Sequence, residues 1–428
     1  MNAMKNENLK SEKLISKPSA SISNNTFFLL IILVLVIDIF IYHRNIFILN
    51  TQTWQTQMLT MDYSYGFIRR GLLGTFSTLI KNCFNIRFVT AYTIVQLTGI
   101  LFFFISTLLF FQSILKNKDD RSFCFVALIY LSFNHFGFVL SAYGLLETYN
   151  MAFTILMVYL IIKDKALFLI PILAGICVMI HEAYPMMLFG VIVAALIYRF
   201  CYAENKALKC KYAIVFVTTG LVVSILFYLS YFKFAYIATP DVEAVLATCR
   251  ERLGVNFEPS NLRTAWLDPK ENLDPSQSNL PMWLNGQPTR TFTAMMRIVI
   301  LNIAFCSPLI FMRAKFWIRL IKREKVLYRK FLLILCSLSV LLILPMIIMH
   351  CDQGRWFYSV LFSEVILTGS VILLNYNNER KTLYEITELS IPKIILVVFY
   401  TLFYSLNPEY ALLIISKNLV NISNWLFR

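Results

Sequence analysis

Apolar runs of about 20 residues recur along this chain from residue 27 almost to its end. A run of that length, at about 1.5 Å rise per helical residue, matches the ~30 Å hydrocarbon core of a bilayer. Inside lipid every backbone N–H and C=O must find a partner within the protein, so repeated runs of this kind restrict the chain to a bundle of helices. The expected fold is an all-α polytopic integral membrane protein with a large extracytoplasmic loop. Spans fall near residues 27–43, 89–112, 122–141, 148–162, 166–180, 184–198, 213–231, 297–312, 331–349, 356–374 and 393–406, about 11 in all. A further apolar piece, Gly71–Ile80, is too short to cross and suits a re-entrant or interfacial helix.

This reading divides the chain into four parts. Residues 1–26 form a polar cytoplasmic tail carrying Lys5, Lys10, Lys13 and Lys17. Residues 27–231 form a first membrane bundle with spans one to seven. Residues 232–296 form an extracytoplasmic loop, and residues 297–428 a second bundle with spans eight to eleven. The run FFLLIILVLVIDIFIY has no small-residue cleavage site behind it, which makes it a retained span rather than a cleaved signal.

Charge sets the orientation. With the N-terminus inside, cytoplasmic segments hold 24 of the 39 lysines and arginines and external segments 15, seven of these in the long loop. The segment Arg313–Lys330 alone holds eight, and the positive-inside rule then puts the N-terminus in the cytoplasm and the C-terminus outside. The net charge of +15 is thus a property of membrane-flanking loops, and no nucleic-acid partner is expected. The nine cysteines are scattered without metal-ligand spacing, so neither zinc nor a disulfide framework is expected, and no cofactor motif appears.

Against the charge bias, the stretch YGFIRRGLLGTF places Arg69 and Arg70 on the external side. Two readings stand: arginines snorkelling to headgroups, or guanidinium groups gripping a bound anion through paired donors. Other unusual polar residues gather at the same ends of the spans. Asp62 follows the first span. Glu147 lies in GLLETYN, His181 and Glu182 in VMIHEAYP, and His350, Asp352 and Arg355 in MHCDQGRWFY. The hairpin carrying His181 and Glu182 has only 33 residues, Ala166 to Tyr198, where two crossings need about 40. Its tip should lie below the outer surface as the floor of a recess, where ionisable groups are functional candidates. Structural readings remain beside this. His181 suits a helix cap and Glu182 a first turn, Asp352 and Arg355 have intrahelical ion-pair spacing, and Asp62 and Arg69 share a helical face.

In the long loop a helix signal begins at Thr239–Pro240, with Asp241 and Glu243 in the first turn and Gly254 after the end. Val242, Leu246, Cys249 and Leu253 lie on one stripe, suited to a helix lying on the membrane or lidding a cavity. Trp266 and Trp283 suit either interface anchors or sugar-stacking platforms.

An external recess lined with arginines, carboxylates and a histidine suits a lipid-linked phosphate substrate. The arginines would hold and stabilise a departing pyrophosphate, and a carboxylate or histidine would take the proton of an attacking hydroxyl. The number of spans, the central loop and the external polar residues resemble bacterial O-antigen polymerases of the Wzy type, and more broadly the GT-C superfamily of polytopic glycosyltransferases. The resemblance covers the chain as topology and rests on no specific motif. It implies an inner-membrane enzyme that polymerises undecaprenyl-pyrophosphate-linked repeat units on the periplasmic face. Asp62, Glu182 and His181 would be its catalytic residues and Arg69, Arg70 and Arg355 its pyrophosphate ligands. Glu147, Asp352, Trp266 and Trp283 would be sugar contacts, with no metal. Partners would be the lipid-linked glycan, membrane lipid, a chain-length regulator and other polysaccharide-assembly membrane proteins. Alternatives are a transferase adding single sugars from a polyprenyl phosphate, a flippase of lipid-linked sugars, and an acyltransferase using His181 and Glu182.

Overall fold

The computed structural model describes residues 60, 62–65, 70–115, 146–230, 242–254, 313–344 and 353–375, with scattered positions within 29–40 and 307–311. Regular structure among the described residues is entirely helical, without a strand. In chain order the helices are α1 (Gly71–Phe84), α2 (Phe88–Leu115), α3 (Glu147–Lys163), α4 (Leu169–Ile180), α5 (Tyr184–Met187) and α6 (Phe189–Tyr202). They continue with α7 (Lys206–Tyr228), α8 (Val242–Leu253), α9 (313–323), α10 (Leu327–Leu338) and α11 (Gln353–Asn375). A 3-10 turn, Ser339–Ile343, extends α10. Expected spans 122–141 and 393–406 lie outside the described residues.

Among the described residues, two helices are long and apolar enough to cross a membrane: Phe88–Ile114, mean hydropathy 2.3, and Lys206–Tyr228, mean hydropathy 2.0. Both turn large apolar side chains outward. On α2 these are Ile94, Leu97, Leu101, Ile105 and Leu109; on α7 they include Ile214, Val217, Leu221, Ile225 and Tyr228. Steps of three and four residues make each set a continuous stripe, a surface that suits lipid rather than water.

Cross-helix contacts fix the relative directions. Tyr149 Oη donates to the Val95 carbonyl at 2.6 Å, and Phe153 meets Phe102 edge-on, so α2 and α3 run side by side in the same sense. Phe362 lies against Phe103, and Gly369 faces Phe110 and Ile114, which aligns α11 with them. Cys336 Sγ donates to the Ala194 carbonyl while Gly190 faces Ser339, so α10 runs antiparallel to α6. One end of the bundle therefore collects the starts of α2, α3, α6 and α11, and the other end collects their termini.

That second end is closed by polar staples. Arg199 of α6 donates to the carbonyls of Ile161 and Ile162, at 3.1 and 2.5 Å, satisfying the last turn of α3. Asp164, at φ 53, caps α3 and is held by Lys211 at 3.1 Å and Tyr212 Oη at 2.9 Å.

Three boundaries differ from the sequence reading. The expected span 213–231 begins at Lys206, because Asn205 caps the helix by accepting from the Leu208 N–H at 2.8 Å. The expected span 184–198 is broken: the one-turn α5 ends at Leu188, φ −127, and α6 starts again at Phe189. Arg313, counted with an internal loop, is helical. It lies ten residues, about 15 Å, up α9 from the 324–326 turn.

Candidate functional site

Four of the expected site residues meet at the end of the bundle where α3 begins. Glu147 opens α3, His181 ends α4, Glu182 follows in the turn to α5, and Arg70 immediately precedes α1. α4 has 12 residues, about 18 Å of helix, and is shorter than α2 and α7. Glu147 and His181 are each 2% exposed and Glu182 6%.

Arg70 grips Glu182 with both arms of its guanidinium: Nε donates to Oε2 at 2.7 Å and Nη2 to Oε1 at 2.5 Å. This fork-to-fork geometry is the strongest form of side-chain hydrogen bonding. Arg70 reaches it from a left-handed backbone, φ 57 and ψ 15, which costs a non-glycine residue roughly 1–2 kcal/mol. Such strain persists where surrounding contacts hold it, and the paired side chain is one such contact.

His181 links the ion pair to Glu147. The Ala183 N–H donates to Nδ1 at 3.1 Å, which requires a lone pair there and assigns the ring proton to Nε2. Nε2 faces Glu147 Oε1 at 3.5 Å, an ion-pair distance rather than a hydrogen bond. On the other side Nδ1 lies 3.7 Å from Glu182 Oε2. The result is a line of groups: Arg70, Glu182, His181, Glu147. One turn beyond Glu147, the fully buried Asn150 has neither amide atom hydrogen-bonded among the described residues.

Asp62 forms a separate knot. Its Oδ1 accepts from the Ser64 N–H at 2.9 Å and from Ser64 Oγ, and its Oδ2 from Thr78 Oγ1 at 2.6 Å and Arg252 Nη2 at 2.7 Å. Burial raises its pKa, but these hydrogen bonds and the Arg252 charge outweigh that and hold the carboxyl below the usual range. Thr78 is eight residues, about 12 Å, along α1 from Arg70. Arg252 also donates to the Thr60 carbonyl at 2.6 Å and lies over the Phe88 ring at 5.0 Å. Cys249, one turn back, accepts from Thr60 Oγ1 at 2.9 Å. The helix expected in the long loop is thus α8, docked on the start of α2.

Arg69, Asp352, Trp266 and Trp283 lie outside the described residues. Arg355 is in the first turn of α11, and its side chain also lies outside them. Among the described residues no group of three or more His, Cys, Asp or Glu is placed to hold a metal ion.

Sequence reasoning passed over one charged pair. Glu364, in the middle of α11 and 7% exposed, pairs with Arg313 of α9, which also donates to the Ser337 carbonyl. The second carboxylate oxygen, Oε2, is buried without a hydrogen bond among the described residues. The available signal was a lone acid in the apolar stretch LFSEVILTGS.

The described chain is an all-helical protein with two helices of membrane-crossing length. No protein family, curated protein or solved structure matches it.

Proposed function

We propose that the chain is a multi-span inner-membrane glycosyltransferase that polymerises lipid-diphosphate-linked repeat units at the periplasmic face. About eleven spans and a cytoplasmic N-terminus complete the arrangement. The observation that carries the reading is the line Arg70–Glu182–His181–Glu147 at one end of the bundle. It joins an anion-gripping fork to a carboxylate with an imidazole behind it. The acceptor's hydroxyl oxygen attacks the anomeric carbon of the donor glycan, and the carbon–oxygen bond to the lipid diphosphate breaks. The diphosphate leaves with the electron pair, its charge met by Arg70. Glu182 takes the hydroxyl proton. His181 stands behind Glu182, its Nδ1 held by the Ala183 N–H, and Glu147 lies 3.5 Å from Nε2 on the far side of the ring. Asp62 is a positioning residue in this scheme, because both of its oxygens are occupied.

The test is complementation of a deletion strain. Arg70→Ala and Glu182→Gln should each remove the ladder of long surface polysaccharide and leave single repeat units on the lipid. Full-length ladders from both variants would end the assignment, and a wild-type product extended by only one sugar would make the enzyme a single-sugar transferase.

One observation favours a second reading, a flippase of lipid-linked sugars. Charged groups in the middle of spans are expected of transporters, and Arg313–Glu364 is such a pair. Under that reading Glu364→Gln stops repeat units from reaching the periplasm; under the enzyme reading they arrive there and are joined.

A further inference from the structure

We infer that Glu182 is the resting occupant of an oxyanion site on Arg70, and that a lipid-linked diphosphate binds by displacing it. This rests on the functional reading above and adds how the site is switched on.

A carboxylate and a phosphate each present two oxygens at a spacing that the guanidinium fork accepts, so one can stand in for the other. In the structure Glu182 fills both arms of Arg70 that face it. A donor diphosphate cannot use those arms while Glu182 holds them. The pair is also not sealed: the Arg70 side chain is 12% exposed and that of Glu182 7%, so solvent reaches both.

Glu182 Oε2 already lies 3.7 Å from His181 Nδ1, and the far side of that ring faces Glu147. The Nδ1 lone pair is held by the Ala183 N–H, so the ring does not compete with the acceptor hydroxyl for the freed carboxylate. Binding of the donor and release of the base are then a single event. Without a lipid diphosphate the base stays locked in its ion pair, so an empty site offers water no activated carboxylate.

Competition has a measurable signature. A ligand that binds only the open fraction of a site has its affinity reduced by that fraction. If the pair is closed about nine-tenths of the time, removing the competing charge tightens diphosphate binding about tenfold. The experiment measures binding of undecaprenyl diphosphate to the full-length protein in nanodiscs, with the neutral polyprenol as blank, alongside thermal unfolding. Glu182→Gln should unfold at lower temperature yet bind the diphosphate about tenfold more tightly, a divergence that a purely structural role does not produce. Glu182→Asp, which keeps the charge but shortens its reach, should tighten binding by a smaller factor and serves if the glutamine variant fails to fold. Wild-type binding that is equalled or weakened in both variants would overturn the displacement and leave the enzyme reading standing. Absence of diphosphate binding in wild type and variants alike would overturn both.

Discussion

At the scale of single residues, Arg70 and Glu182 should behave as one unit. Arg70→Ala leaves Glu182 behind as a nearly dry carboxylate without its main partner, and should lower stability by about 3 kcal/mol. The double variant with Glu182→Ala should cost less than the sum of the two single changes. Thermal unfolding of the detergent-solubilised protein measures this coupling. Asp62 makes a different prediction. Its folded pKa is depressed, so its contribution is complete above the ordinary value of 3.8 and is lost only as pH falls through the lower folded value. Asp62→Asn should therefore destabilise equally at about pH 6 and about pH 8, and a penalty that changes across that window would contradict the geometry. The residues of the site were legible because charge is rare in apolar sequence: Asp62, Arg70, Glu147, His181 and Glu182 all stand out. Their pairing was not, since Arg70 and Glu182 are 112 positions apart and nothing local couples them. Nor was Glu364, whose single charge disappears into the average of an otherwise apolar window.

At the scale of elements, hydropathy located most helices and misjudged where packing decides. The end of α8 was readable, because Gly254 takes φ 68 and its N–H returns to the Arg250 carbonyl at 2.8 Å, a role that favours glycine. The break at Leu188 was hidden in a continuous apolar run, where Pro185 supplied only a helix-start signal. Beyond the break, Gly190 lets α6 approach the end of α10 so closely that an added methyl would meet the Ser339 carbonyl oxygen. Helix association in lipid depends on such close approach of small residues. Gly190→Ala should therefore destabilise by about 1–3 kcal/mol, since backbone rather than a flexible side chain must yield. Gly220→Ala on α7 should fold as wild type, because no described residue lies within 4 Å of the added carbon. Size-exclusion profiles after graded heating distinguish the two.

At the scale of the whole molecule, the proposed orientation can be read from native cysteines. Cys83 is exposed near the end of α1, beside the start of α2 where Arg252 docks. Cys210 is exposed next to Lys211, which pairs with Asp164 at the opposite end. In variants keeping one cysteine each, a membrane-impermeant maleimide should label Cys83 in intact cells and Cys210 only after permeabilisation. The reverse pattern would put the candidate site in the cytoplasm. Sequence supplied this orientation from the lysine and arginine balance alone; it had no means of saying which helices from distant parts of the chain touch. Those contacts carry a consequence for how the polypeptide can be made. α6 lies against α10 and α11, and Phe103 of α2 against Phe362 of α11, so segments translated early and late are clasped side to side. Continuity of the peptide through the long central loop is not what unites them. A gene severed there and expressed as two cistrons should still yield a working protein, its fragments inserting separately and finding each other in the bilayer.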